Sequence, residues 1–254
     1  MVKPVWPFSL LGEGLAITQG KSGYTYVYDP KDLSIGLHML WHGEHEPWLH
    51  ELLATMLCPG DLVVDVGTNI GYHAVRMCDL VGPVGHVWCC EPNDRLHKYI
   101  HRNLILNGFG GIGEIVAKAI SDSSGEVAKL YLLNDDCGGS ALQVADCNVS
   151  KVVGRDDVTT QTVDNILDGK PAALLKVDAE GSEAAVLRGA RRSSIVSIII
   201  ENNPNYWSED LEIEVDHLRA CGYSCSLLGD GITGQPYDGR MQNLQPCDVL
   251  FQRN

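Results

Sequence analysis

The chain has 254 residues, 44% hydrophobic and 20% charged, which suits one large α/β domain or two small ones. Its formal net charge is −14 and its basic residues are scattered, so long nucleic acids and anionic membrane surfaces are not expected partners. Nine cysteines without a CxxC pair favour a reducing compartment, and the N-terminal stretch resembles neither a signal peptide nor a membrane span. We therefore expect a cytoplasmic protein.

Residues 1–45 are predicted to form a β-rich extension, because residues 24–28 alternate and then meet Asp29-Pro30. Helical spacing of apolar residues predicts a helix over 46–57, ended by Pro59-Gly60. From there strands and helices alternate. The predicted strands are 61–66, 86–91, 113–118, 172–178, 195–201, 223–228 and 247–252, and the predicted helices are 70–81, 94–107, 163–168, 182–190 and 208–221.

This alternation predicts a doubly wound, seven-stranded and mostly parallel sheet. Strands 172–178 and 195–201 are nearly continuous apolar runs, which is typical of strands covered on both faces. No repeat or linker divides the chain, so residues 46–254 are expected to form one domain. The strand-rich segment 127–160 is expected to shape the substrate side, and so are the aromatic residues Tyr206 and Trp207.

Acids and amides follow most of the predicted parallel strands. Open α/β sheets bind ligands at the carboxyl ends of their strands, so these side chains are candidates for one site. The candidates, strand by strand, are Asp65, Gly67, Asn69 and Gly71; Glu91, Pro92 and Asn93; Ser121 and Asp122; Asp178 and Glu180; and Glu201 and Asn202.

The glycine loop after the first strand does not match a pyrophosphate site. Its spacing is G-x-N-x-G, with Tyr72 where GxGxxG has its third glycine, and no P-loop lysine follows. S-adenosylmethionine fits better, because it carries a cationic methionine end and a ribose diol but no phosphate. Asp65 would attract the cationic end and Glu91 would accept both ribose hydroxyls. The alternative is that Asp65 caps a helix and Glu91 is a solvated strand end.

Several stretches together resemble the FkbM-type family of S-adenosylmethionine-dependent methyltransferases. They are DVGTNIGYHA (65–74), GPVGHVWCCEPND (82–94), NLILNG (103–108), AISDSSG (119–125), TVDNIL (162–167) and LLKVDAEGSEAAVLRGA (174–190). The resemblance implies a Rossmann-like class I methyltransferase fold with a final antiparallel strand. It also implies O-methylation of a small-molecule acceptor. Thr68 departs from the family's usual alanine, and the expectation that Glu46 contacts the cofactor rests on the resemblance alone.

The acceptor side leaves two routes open for activating a hydroxyl. Asp178, Glu180, Glu201 or a nearby histidine would act as the catalytic base. Alternatively, Asp178, Glu201 and Asn202 would bind Mg²⁺ or another divalent cation that lowers the acceptor pKa. Lys176 shares a strand face with Asp178, so an ion pair between them is expected.

Other functions remain open at this point. An RNA or protein methyltransferase would share the fold, although the net charge argues against RNA. A non-catalytic binding module and a Rossmann oxidoreductase are further alternatives. The histidines at 42, 45, 50 and 73 are ambiguous between packing and the site. Neither the acceptor nor the oligomeric state follows from the residues.

Overall fold

The computed structural model describes residues 6–133, 140–142, 152–206, 208–229 and 232–253. Trp207 and most of segment 134–151 lie outside these ranges, so their predicted role on the substrate side stays a prediction. No helix among the described residues is long and apolar enough to cross a membrane.

The central sheet has eight described strands. Their bounds are β4 Leu62–Val66, β5 His86–Cys90, β6 Gly113–Val116, β10 Ala172–Val177, β11 Ile195–Asn202, β12 Tyr223–Gly229, β13 Ile232–Pro236 and β14 Cys247–Arg253. Their order across the sheet is β13-β12-β14-β11-β10-β4-β5-β6. The five strands from β11 to β6 are parallel, and β14 runs antiparallel between β11 and β12. The doubly wound, mostly parallel sheet is therefore confirmed, with β13 as an additional edge strand beyond the seven expected.

Helices cover both faces of this sheet. They are α2 Pro47–Met56, α3 Tyr72–Val81, α4 Asp94–Leu106, α5 Val163–Leu167, α6 Glu183–Arg188 and α7 Glu209–Ala220. Alternate residues of β4 enter opposite layers, since Val63 packs in one hydrophobic cluster and Val64 and Val66 in the other. The strand order reverses between β4 and β10, and a crevice for ligands is expected at that point.

The N-terminal extension packs directly on the main domain. Its antiparallel sheet consists of β1 Ser9–Leu11, β2 Leu15–Gln19 and β3 Thr25–Tyr28. The buried Asn103 of α4 accepts from the Val27 backbone nitrogen at 2.7 Å and donates to its carbonyl at 3.1 Å. The prediction of a β-rich extension missed one helix, α1 Ile35–His42, which buries Ile35, Gly36 and Met39 at helical spacing.

A smaller three-stranded sheet lies beside the main one. It contains β7 Ala119–Ile120, β8 Val127–Leu133 and β9 Val152–Gln161, in the order β7-β9-β8. The stretch after residue 116 therefore leaves the main sheet, although the sequence predicted a strand to residue 118. Since β7 follows β6 directly along the chain, it brings residues 118–120 to the ligand crevice.

Candidate functional site

A cavity of about 240 Å³ opens at the carboxyl ends of the parallel strands. Most of the residues predicted from the strand ends contribute to its wall. Those that line it are Glu46, Asp65, Gly67, Asn69, Glu91, Pro92, Asp178, Glu180 and Glu201. The fold thus brings together residues that are more than 150 positions apart in the chain.

Five predicted residues do not line this cavity. Gly71 precedes α3, and a Cβ there would lie 3.4 Å from the Ile100 Cα, so it permits close helix packing. Asn93 caps α4 by accepting from the Arg95 backbone nitrogen at 3.1 Å. Ser121 donates its backbone N–H to the Gln161 carbonyl instead.

Asp122 and Asn202 are the other two. Asp122 forms an ion pair with Arg188 at 3.0 Å, and the side chain of Asp122 is 43% exposed, so it lies on the surface. Asn202 is 1% exposed, and neither of its amide atoms has a hydrogen-bond partner among the described residues. Because side chains alternate along a strand, Asn202 faces away from Glu201, and the predicted cation site loses this ligand.

The glycine loop holds its shape through unusual backbone angles. Gly67 has φ +80°, and a Cβ at this position would lie 1.8 Å from the Asp178 carbonyl oxygen. Asn69 has φ +55°, and its backbone nitrogen donates to Glu91 Oε2 at 2.9 Å. The loop therefore needs glycine at 67 to let β4 and β10 approach each other at the edge of the cavity.

Two buried carboxylates stand at neighbouring strand ends. Glu91 is 5% exposed and accepts from the backbone nitrogens of Asn69 and Asn93, both at 2.9 Å. Burial raises the pKa of Glu91 to about 7, although these two hydrogen bonds oppose the shift. Asp65 is 1% exposed, burial also raises its pKa, and its Oδ1 has no partner among the described residues. A buried acceptor without a partner fits a site that receives a donor from a ligand.

Lys176 lies among several carboxylates at the floor of the cavity. It is 5% exposed, its Nζ donates to Asp178 Oδ2 at 3.2 Å, and it stands beside Asp65 on the neighbouring strand. Burial works to lower the pKa of Lys176, but the charges of Asp178, Asp65 and Asp248 outweigh burial and raise it. The predicted ion pair is therefore present, and Lys176 carries a positive charge.

Asp178 and Glu201 form a tightly interacting pair. The charge of Asp178, followed by burial, raises the pKa of Glu201 to about 11. Burial works against the ionised Asp178, yet Lys176 and a hydrogen bond from Glu201 hold the pKa of Asp178 below its usual range. At neutral pH the pair therefore shares one proton, because two adjacent carboxyl groups in this setting do not both ionise.

Asp248 completes this group and is not among the residues predicted from the strand ends. It lies opposite Glu201 on β14, and burial, then the charges of Glu46 and Asp178, raise its pKa to about 7. The expected antiparallel final strand could have pointed to Asp248. The first residues of an antiparallel strand meet the carboxyl ends of the parallel strands, as those of β14 do here. The acid in the second position of the final strand could have been assigned to this edge.

The cavity wall also carries a cluster that we call the His–Glu triad: His45, Glu46 and His73. Glu46 Oε2 lies 3.1 Å from His73 Nε2 and 3.8 Å from His45 Nε2. Burial lowers the pKa of His45 to about 4. Burial works to raise the pKa of Glu46, but the hydrogen bond and charge of His73 outweigh it and bring that pKa to about 2.

Comparisons with known proteins agree with this architecture. The family model described as the methyltransferase FkbM domain matches residues 65–225, well over half of the chain. An O-methyltransferase from Bacillus cereus, solved in complex with SAH, is 12% identical with a TM-score of 0.51, and 83% of each chain is covered. An S-adenosylmethionine-dependent O-methyltransferase from Thermotoga maritima is 13% identical with a TM-score of 0.50, over 93% of this chain and 77% of that one.

Sequence relatives match a shorter stretch. A protein-L-isoaspartate O-methyltransferase from Ignicoccus hospitalis is 40% identical over 63 residues, which is 25% of this chain and 30% of that protein. The match thus spans less than a third of that relative's length. The family model covers most of the strand-end residues described above, and the solved structures share the class I methyltransferase fold. The chain belongs to the FkbM methyltransferase family.

Proposed function

We propose that this protein transfers a methyl group from S-adenosylmethionine to a hydroxyl oxygen of a small-molecule acceptor. Membership of the FkbM methyltransferase family supports the reaction class. The observation that carries the proposal is the pair of buried carboxylates, Asp65 and Glu91, at adjacent strand ends facing one cavity.

This pair suits the methyl donor better than a dinucleotide. Each oxygen of Glu91 accepts one backbone N–H and keeps a lone pair for a ribose hydroxyl. The unpartnered Oδ1 of Asp65 would accept from the cationic methionine end. A pyrophosphate at the same position would meet two carboxylates in a buried setting, where like charges repel strongly.

Donor binding gives the first test. S-adenosylhomocysteine is expected to raise the melting temperature, and NAD is not. Since Glu91 has a pKa of about 7 and would bind the ribose as a carboxylate, affinity should fall as pH drops through 7. Titration calorimetry should give about tenfold weaker binding at pH 6 than at pH 8.

The matched variants are Glu91→Gln and Glu114→Gln. Glu91→Gln should bind weakly and without this pH dependence, whereas Glu114, which pairs with His86 on the surface, should tolerate the change. A larger stabilisation by NAD than by S-adenosylhomocysteine would refute the donor assignment. Full affinity in Glu91→Gln would refute the role of Glu91.

The acceptor side supports chemistry on a hydroxyl group. Asp178, Asp65 and Asp248 surround Lys176, which supplies the positive charge that a divalent cation would otherwise bring. We therefore propose that Asp178 holds Lys176 in place and that Glu180 and Glu201 form the wall against the acceptor. In this arrangement no divalent cation lies between Asp178, Glu180 and Glu201. Asp248 is the best-matched general base, because a catalytic pKa near the working pH is most effective.

The charge of the cavity helps to select among acceptors. Seven carboxyl groups line it, namely those of Glu46, Asp65, Glu91, Asp178, Glu180, Glu201 and Asp248, against two lysines, Lys118 and Lys176. Even with one proton shared by Asp178 and Glu201, the acidic groups outnumber the lysines. Because like charges repel, such a site disfavours RNA and also the isoaspartate that gives the sequence relatives their name. A neutral or cationic molecule with a free hydroxyl fits the charge of the site.

Replacing Asp248 by asparagine tests the base. Release of S-adenosylhomocysteine would first be measured with a panel of neutral and amino-substituted saccharides and phenols, an isoaspartyl peptide and ribosomal RNA. With the best acceptor, Asp248→Asn should lower kcat by about 10²–10⁴-fold while donor affinity stays unchanged. An unchanged kcat would remove Asp248 from the mechanism, and turnover of the peptide or the RNA alone would contradict the acceptor class.

A further inference from the structure

The His–Glu triad has the donor set of a transition-metal site. One ring nitrogen of each histidine and a carboxylate oxygen of Glu46 all lie within 4.8 Å of one another. The distances from Glu46 Oε2, 3.1 and 3.8 Å, are close to the separation of two ligands on one metal, since each metal–ligand bond is about 2.0–2.2 Å long.

The three side chains come from separate elements and are held in place. His73 belongs to α3, Glu46 is the N-cap of α2 with φ +43°, and His45 lies in the connection before it. The His45 backbone nitrogen donates to the Tyr72 hydroxyl at 3.0 Å. His45 Nδ1 lies 2.6 Å from His38 Nδ1, an outer hydrogen bond of the kind that orients metal-binding imidazoles.

An ordinary ion pair elsewhere in the chain shows what is unusual here. His86 Nε2 also lies 3.1 Å from a carboxylate, Glu114 Oε2, but one imidazole takes part and the carboxylate is 61% exposed. In the triad two imidazoles converge on one carboxylate oxygen. All three residues also line the main cavity, so the coordination positions that the protein leaves open on a bound ion would face the cavity.

The electrostatic surroundings permit a further positive charge. Lys176 also faces Glu46, but it is surrounded by Asp178, Asp65 and Asp248. The seven carboxyl groups of the cavity outnumber its two lysines, so the wall remains acidic overall. Two imidazoles and one carboxylate select borderline divalent ions of the first transition row over Mg²⁺ or Ca²⁺, which prefer oxygen ligands.

We propose that the His–Glu triad binds a divalent transition-metal ion of the Zn²⁺ or Co²⁺ class, with open positions toward the cavity. Three protein ligands with open positions are the arrangement of catalytic rather than structural metal sites. Glu46 then serves as a metal ligand, in place of the donor contact that the family resemblance implied. Metal binding itself does not depend on the proposed methyl transfer.

Cobalt is the probe for the experiment. The full chain would be stripped of metal, dialysed and titrated with Co²⁺ while the visible absorbance is recorded. One ion per chain is expected, with visible bands of nitrogen and oxygen coordination and without the near-ultraviolet thiolate band that the cysteines would give. Zn²⁺ should displace it in competition.

Variants then locate the ion. Glu46→Gln, which keeps the side-chain shape, and His73→Gln should each weaken Co²⁺ binding by at least ~100-fold, because even an outer-shell partner is worth about 10–100-fold. His86→Gln is the matched control and should bind as the wild type does. Independently of cobalt, retained S-adenosylhomocysteine binding shows that a variant is folded and that its donor site is intact.

Four results would overturn the proposal. Three concern cobalt alone: no stoichiometric Co²⁺ binding to the wild type, binding with a thiolate band only, and unchanged binding in both Glu46→Gln and His73→Gln. The fourth compares cobalt binding with donor binding. If Glu46→Gln loses S-adenosylhomocysteine affinity but keeps Co²⁺, Glu46 is a donor contact and the metal assignment is wrong. Failure of donor binding in every protein, with cobalt binding intact, would refute the proposed function alone.

Discussion

Replacing Lys176 by methionine is expected to lower the free energy of unfolding by about 2–3 kcal/mol at neutral pH, below the full cost of a broken buried pair because water screens part of Asp178. The substitution keeps much of the side-chain volume but leaves the buried Asp65 and the 38% exposed side chain of Asp178 without their shared cation. Breaking a buried pair from one side leaves an uncompensated charge, which costs more than the pair contributes. Chemical denaturation followed by circular dichroism would measure the loss.

The loss should depend on pH in a defined direction. In the wild type, Lys176 helps to depress the pKa of Asp178, so this stabilisation is present above the ordinary aspartate pKa and is lost as pH falls below it. Without Lys176, burial raises the pKa of Asp178 in the folded state above that of an ordinary aspartate. The folded variant then takes up the proton more readily, so it gains stability as the pH falls toward the pKa of an ordinary aspartate. The difference between the two proteins should therefore shrink in acid.

Lys129→Met is the matched control for this prediction. Lys129 also pairs with an aspartate, Asp157, but its side chain is 52% exposed and that of Asp157 is 60% exposed. A surface pair of this kind contributes about 0–1 kcal/mol. Equal losses in Lys176→Met and Lys129→Met would contradict the view that Lys176 neutralises the floor of the cavity.

Replacing Gly67 by alanine is expected to have a comparable or larger effect. The new Cβ would lie 1.8 Å from the Asp178 carbonyl oxygen, a backbone atom fixed at the end of β10. Relief requires β4 and β10 to separate where Asp65, Lys176 and Asp178 meet. We expect the free energy of unfolding to fall by about 4–5 kcal/mol or more, a size that is typical of severe backbone and core changes. We also expect S-adenosylhomocysteine binding to be lost.

Gly125→Ala separates the clash from the cost of the backbone angle. Gly125 has φ +83°, nearly that of Gly67, but a Cβ there meets no atom within 4 Å. Its substitution should cost about 1–2 kcal/mol, the ordinary penalty of a left-handed alanine. Melting temperatures of the two variants would show whether close approach, rather than φ alone, demands glycine at 67.

The part of the cavity that we propose for the donor was predictable because its signals are local. Asp65 and the glycine loop follow a strand within a few residues, and Glu91 ends the next strand, which pairs directly with the first. Parallel neighbours joined by one helix must place their carboxyl ends together. Ser121 and Asp122, which were predicted to join them, lie outside the cavity wall, because the chain leaves the sheet after β6 for the separate β7-β9-β8 sheet.

The sequence by itself determined the fold class, the order of its strands and helices, and the residues of the glycine loop and Glu91, since hydrophobic periodicity and short motifs encode them. Only the tertiary structure decided which distant side chains share the cavity. Asp248 reaches Glu201 because the last strand inserts antiparallel beside β11, and Glu46 reaches His73 because the N-terminal segment folds over α3. Such pairs are set by packing between remote segments, and no local pattern records them.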